Sequence, residues 1–218
     1  MMTVVIDGSG VVDIGGNASS AAYVRLYEDS DNGTNYVDLI APTSVAANRT
    51  QTLADVTGTL APIVSDTAVT LTTQTNVDFT GIPSWVKRIT VIFNAVSLSG
   101  TDAILIQIGD SGGVETTGYS SAVAFVGSST GGNSRTDGYV ATVSGTAANT
   151  YAGAVTIVNI SGNTWVATGN TIYESTTPTS FVMPSTGIKT LSAQLDRVSI
   201  TRTGTNTFDA GTINILYE

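Results

Sequence analysis

The chain has 218 residues, a formal net charge of −9, and neither cysteine nor histidine. Disulfides and thiolate chemistry are excluded, structural zinc nearly so, and the acidic balance disfavours nucleic-acid backbones and anionic membrane surfaces as partners. Charged residues make up only 11%, against about a quarter in an average globular protein. Threonine, serine, glycine and asparagine replace them, which favours strands and turns over helices.

In chain order, the first residues, MMTVVIDGSG, show no basic region and no long apolar run. Neither a signal peptide nor a transmembrane helix is expected there. Val4–Ile6 and Val11–Ile14 flank Asp7-Gly8-Ser9-Gly10 and read as a short hairpin. A second hairpin is expected from residues 23–27 and 36–40, with Asn32-Gly33 as its turn signal. Residues 41–66 are rich in Ala, Thr and Pro and read as an extended connector.

From there the pattern strengthens. In residues 85–97, Trp85, Ile89, Val91, Phe93 and Ala95 share one face. Ile104, Ile106 and Ile108 alternate, and further strands are expected at 123–126, 139–143, 154–160, 165–167, 198–200 and 213–217. No stretch sustains a helical period, and no internal repeat is found at a fixed spacing. Short strands separated by turns indicate an all-β sandwich or barrel, with a jelly-roll-like sandwich preferred.

The two parts differ in kind. Residues 1–80 carry nine acidic and two basic side chains, and residues 81–218 carry eight and six. All five Phe and both Trp lie at position 79 or later. Large aromatics supply much of a core, so the second part can build its own. The first part's strands need partners, and burial among several copies would supply them. The expected division is 1–66, an N-terminal anchor or short shaft, and 67–218, a C-terminal β-sandwich knob.

Four constellations bear on chemistry. Residues 109–113, GDSGG, spell the surroundings of a chymotrypsin-like nucleophile, but a serine needs a base and the sequence has no histidine. A strand end followed by a turn is the better reading. Glu28, Asp29, Asp31 and Asp38 could offer oxygen ligands to Ca²⁺, but the EF-hand spacing fails, and a solvated acidic turn is favoured. Asp110 with Glu115 is a candidate carboxylate pair for glycoside hydrolysis, but nothing in the sequence fixes their separation. Trp165, Tyr119, Tyr139 and Tyr173 lie in or beside Gly-, Ser- or Asn-containing segments. As exposed aromatics they could stack on sugars, and a core role is at least as good a reading for each. No catalytic residue, metal ligand or cofactor is assigned.

Two stretches carry a resemblance. YVRLYEDSDNGTNYVDLIAPTSVAANRTQTLADVTGTL, residues 23–60, resembles a segment ahead of the distal domains of bacteriophage tail-fibre-like proteins, especially those of phages infecting cyanobacteria. It departs from that pattern at Leu53-Ala54-Asp55, where proline is commoner. DFTGIPSWVKRITVIFNAVSLSGTDAILIQIGDSGGVETTGYSSAV, residues 78–123, is similar to the start of their C-terminal β-domain, and the ending GTINILYE to its last strand. The resemblance implies a homotrimeric virion fibre, and a chain without Cys, His or an expected signal peptide fits assembly in the host cytoplasm. Its N-terminal region would join other virion proteins and its knob a host-surface glycan or protein, without membrane insertion. The alternatives are a capsid or baseplate decoration fibre without a receptor role, and a polysaccharide-cleaving tailspike.

Overall fold

The computed structural model describes residues 23–27, 35–40, 62–174 and 181–218. The chain forms two units, Met1–Gly58 and Thr59–Glu218. The expected hairpin at 4–14, the acidic turn around 28–34 and the connector up to residue 61 lie outside the described residues.

In the first unit, β1 (Tyr23–Tyr27) pairs antiparallel with β2 (Tyr36–Ile40), the second expected hairpin. The register sets Tyr23, Arg25 and Tyr27 opposite Ile40, Asp38 and Tyr36. Alternation then puts Val24, Leu26, Val37 and Leu39 together on the other face.

The second unit is an antiparallel, all-β, sandwich-like fold. Its strands are β3 (Val64–Ser65), β4 (Val69–Thr70), β5 (Val77–Thr80), β6 (Arg88–Leu98), β7 (Ile104–Asp110), β8 (Gly113–Val114) and β9 (Ser120–Val126). There follow β10 (Thr130–Arg135), β11 (Tyr139–Val140), β12 (Thr150–Ser161), β13 (Thr164–Glu174), β14 (Phe181–Thr190), β15 (Arg197–Arg202) and β16 (Phe208–Tyr217). The large sheet runs β10-β9-β14-β13-β12-β6-β16-β3, with β4 also on β16. The small sheet runs β11-β7-β15-β5, with β8 on β7.

From β5 onward the chain passes repeatedly between the two sheets, while β12, β13 and β14 form a meander within the large one. Because β3 pairs with β16, the sandwich begins before residue 66, earlier than the expected boundary. Between the sheets lies a single core. Ile89, Val91, Ile157, Ile213 and Ile215 of the large sheet face Ile104, Ile106, Ile108, Val198 and Ile200 of the small one, all fully buried.

Two local features depart from simple alternation. The face expected for residues 85–97 holds from Ile89 to Phe93 and then shifts. Ala95 takes a left-handed φ of 51°. The registers with β12 and β16 slip beside it. The bulge turns Ala95 outward and carries Val96 and Leu98 into the core. Trp85 precedes the strand, is exposed, and rests on Tyr217 with ring centroids 6.1 Å apart. The second feature is β14, which was not expected as a strand. It contains Pro184 yet lies between β9 and β13. The β9 register passes from Val182 to Ser185, so the missing proline N–H coincides with a gap in that ladder.

Candidate functional site

The strand registers define two ends of the sandwich. At one end, β3 enters beside Tyr217, Arg88 pairs with Glu218, and Val158 lies opposite Arg88. At the other, Tyr151 of β12 lies opposite Tyr173 of β13, Tyr173 opposite Phe181 of β14, and Val126 of β9 opposite Val182. Seven residues of β12 separate the levels of Tyr151 and Val158, about 24 Å at strand rise.

The end far from β3 holds a cleft of about 440 Å³. Four aromatics line it in series. Phe125 meets Phe181 edge-on at 5.6 Å, Phe181 stacks on Tyr173 at 5.6 Å and 18°, and Tyr173 leans toward Tyr151 at 6.0 Å. Tyr151 is buried, while Phe125, Tyr173 and Phe181 are half-buried and keep part of their rings accessible. The opposite wall is the turn between β11 and β12, with Ser144, Thr146 and Asn149, and Asn133 of β10 completes the rim. Thr146 Oγ1 donates to Asn149 Oδ1 at 3.0 Å, which orients the buried Asn149 amide. Burial pushes the Tyr151 hydroxyl above its usual range, so it stays protonated. None of the residues lining the cleft is charged.

A cleft with aromatic faces on one side and amide and hydroxyl groups on the other suits a neutral ligand with an apolar face and a polar edge. Single-stranded nucleic acid also stacks on aromatics, but it needs a positively charged groove, which this cleft does not offer.

Of the four aromatics singled out in the sequence, Tyr173 alone is in the cleft. Trp165, Tyr119 and Tyr139 are only 4%, 3% and 2% exposed, so of the two readings open for each the core one holds and the sugar-stacking one is corrected. Each points inward from its strand or turn into the core. The Tyr119 hydroxyl oxygen accepts from the Ile108 N–H at 2.8 Å, and its O–H is within donating reach of the Ile108 and Glu115 carbonyls. Tyr139 O–H donates to the Trp165 carbonyl at 2.9 Å, and its ring meets Tyr119 edge-on at 5.1 Å. Burial raises both phenols. Phe125, Tyr151 and Phe181 had not been singled out. The one signal they share with Tyr173 is an aromatic at a strand terminus.

The carboxylate pair lies at the opposite end. Asp110 ends β7, and its Oδ1 accepts from the Gly112 N–H at 2.8 Å, closing the turn to β8. Gly109 is required there, because a Cβ would lie 2.1 Å from the Gly113 carbonyl oxygen. The GDSGG segment is therefore a strand end and turn, with Ser111 exposed. Ser192 Oγ lies 2.7 Å from Asp110 Oδ2 and 2.8 Å from Glu115 Oε1, joining the two acids. Lys189 projects inward from β14, is 6% exposed, and pairs with Glu115 at 2.5 Å.

Both carboxyls are held below their ordinary range. For Asp110 the Ser192 hydroxyl is the main cause, helped by the Gly112 N–H. For Glu115 burial pushes upward, and the Lys189 ammonium with the Ser192 bonds outweighs it. Glycoside hydrolysis needs one carboxyl raised to serve as acid, and this pair supplies none. Among the described residues no group of three or more acidic side chains is placed to hold a metal ion. Asp38, from the acidic turn considered for Ca²⁺, is instead the ion-pair partner of Arg25 at 2.8 Å.

No protein-family model matches the chain, and neither a curated protein nor a solved structure is found to match it.

Proposed function

We propose that the chain is a non-enzymatic fibre protein of a phage virion that attaches to the host surface as a homotrimer. In this reading the sandwich takes a neutral host-surface glycan in the cleft of Phe125, Tyr151, Tyr173 and Phe181. The uncharged aromatic series carries the reading: it offers ring faces to the apolar face of a pyranose and amides to its hydroxyls. Its place supports the same role, since the cleft lies at the end of the sandwich away from β3. Weak contacts at equivalent clefts of several copies would add by multivalency.

The test is binding of the full chain to an array of neutral polysaccharides and oligosaccharides, followed by turnover assays on any that bind. Binding without cleavage is expected, and Phe181→Ala should weaken it by roughly tenfold or more, with near-UV circular dichroism still that of a folded sandwich. Absence of any glycan binding, or full affinity in the folded Phe181→Ala chain, would overturn the cleft assignment. Release of oligosaccharides would favour the tailspike, and a stable capsid attachment with no binding to cells would favour the decoration fibre.

A further inference from the structure

The outer face of the large sheet has a composition unlike the rest of the acidic chain. One row across it is Thr90, Thr156, Thr168, Thr186 and Ala122, directly opposite one another from β6 to β9. The row beside it, toward the β3 end, contains Val158, Val166 and Ile188, with Val158 and Ile188 38% and 44% exposed. Two further uncharged rows follow toward the cleft, ending at Ala152, Ile172 and Val182. Within these four rows, from β9 across to β16, the charged side chains are Arg88 and Glu218, neighbours at the rim that pair with each other. The outer side of the small sheet differs, for Asp78 of β5 and Arg197 of β15 are partly or fully exposed there.

We infer that this uncharged outer face is where a second copy of the chain packs. Charge selects that occupant. Each copy carries −9, so two copies repel wherever acidic surfaces meet. The outer face lets them approach without opposing like charges. Its size is sufficient: six strands and four rows span about 29 Å by about 27 Å, or about 800 Å², the amount each partner contributes to a standard stable interface. Its texture is suitable as well, since β-branched side chains on a regular sheet have little rotamer freedom to lose. The inference rests on the self-association in the proposed function, but not on the glycan or the virion.

The experiment is light scattering of the full chain at micromolar concentration, beside a Thr156→Glu/Thr168→Glu double variant and a Thr80→Glu control on the small sheet. A multi-copy mass is expected for the native chain and the control. In the double variant, self-association should weaken by at least roughly tenfold. A monomeric native chain would overturn both this inference and the homotrimer. An oligomer that the double variant leaves intact, or that the control disrupts equally, would overturn the placement alone. A second readout covers a double variant that fails to fold. In this cysteine-free chain, Thr168→Cys should be shielded from a bulky maleimide in the assembled protein and labelled on dilution, whereas Thr80→Cys is labelled throughout. Equal labelling of the two would overturn the placement.

Discussion

The hairpin β1–β2 and the sandwich are built from the same kinds of residue, yet their apolar side chains meet opposite fates. Val24, Leu39, Leu26 and Val37 share one face of the hairpin and are 40%, 57%, 55% and 63% exposed. In the sandwich, Ile89, Ile104, Ile157 and Ile213 are at 0%. Strand propensity is not the difference. Among the described residues the hairpin has no second layer against which to bury a face, and two-stranded sheets are marginal in water by themselves.

What organises the hairpin internally is its polar side. Arg25 makes two 2.8 Å bonds to Asp38, and its guanidinium lies 3.6 Å from the Tyr36 ring centre and 5.0 Å from that of Tyr23. The Arg25 guanidinium accordingly holds the Asp38 carboxyl below its ordinary range. Such contacts specify register, whereas layered burial supplies most of a domain's stability.

The contrast can be broken by paired substitutions. Phe208 is fully buried, so Phe208→Ala should cost the sandwich about 3–5 kcal/mol in urea unfolding followed by tryptophan fluorescence. Both tryptophans, Trp85 and Trp165, lie in that unit, so the signal reports on it alone. Leu26→Ala in the hairpin should change the same transition by less than about 0.5 kcal/mol. A larger shift would show that the two units unfold together.

The buried ion pair sharpens the comparison. Glu115→Gln leaves the inward-facing Lys189 ammonium without its counter-ion and should cost about 2 kcal/mol, below the usual figure because Glu115 keeps some contact with water. Lys189→Met should cost less. Both Asp110 and Glu115 have carboxyls lowered by folding. A lowered carboxyl contributes stability that is complete above its unfolded value, about 4, and is lost as the pH falls through its folded value. The urea midpoint should therefore hold steady between about pH 6 and 8 and drop below about pH 4. Replacing both acids by their amides should flatten that acid limb.

The smallest effect belongs to the segment that reads most like an active site. Ser111→Ala should stay within about 0.5 kcal/mol of the native chain, because the exposed hydroxyl sits outside the turn's hydrogen bonds. A loss of glycan binding in that variant would place the ligand at the wrong end of the sandwich.

The strands that were legible in the sequence are those whose inward positions are aliphatic, as in Ile104, Ile106 and Ile108 of β7 or Ile213 and Ile215 of β16. β14 was illegible for a physical reason: its inward side runs Phe181, Met183, Ser185, Gly187 and Lys189, so hydrophobic alternation stops halfway. Trp165 and Tyr139 lie in strands the sequence pattern predicts, but that pattern does not say which way each ring turns, and tertiary packing draws them and Tyr119 into the core. The cleft could not be read at all. Its four rings come from four strands, and only the register of β9, β14, β13 and β12 brings them to one end.

The entry of β3 beside Tyr217, at the end opposite the cleft, has a mechanical consequence. A pull between the N-terminal segment and a ligand in the cleft would run along the strand axes. Ladder bonds lie across that axis. Such a load shears the β3–β16 and β12–β13 bonds together and does not unzip them one by one. In the proposed role, tension between β3 and a ligand in the cleft would therefore act in shear along the strands.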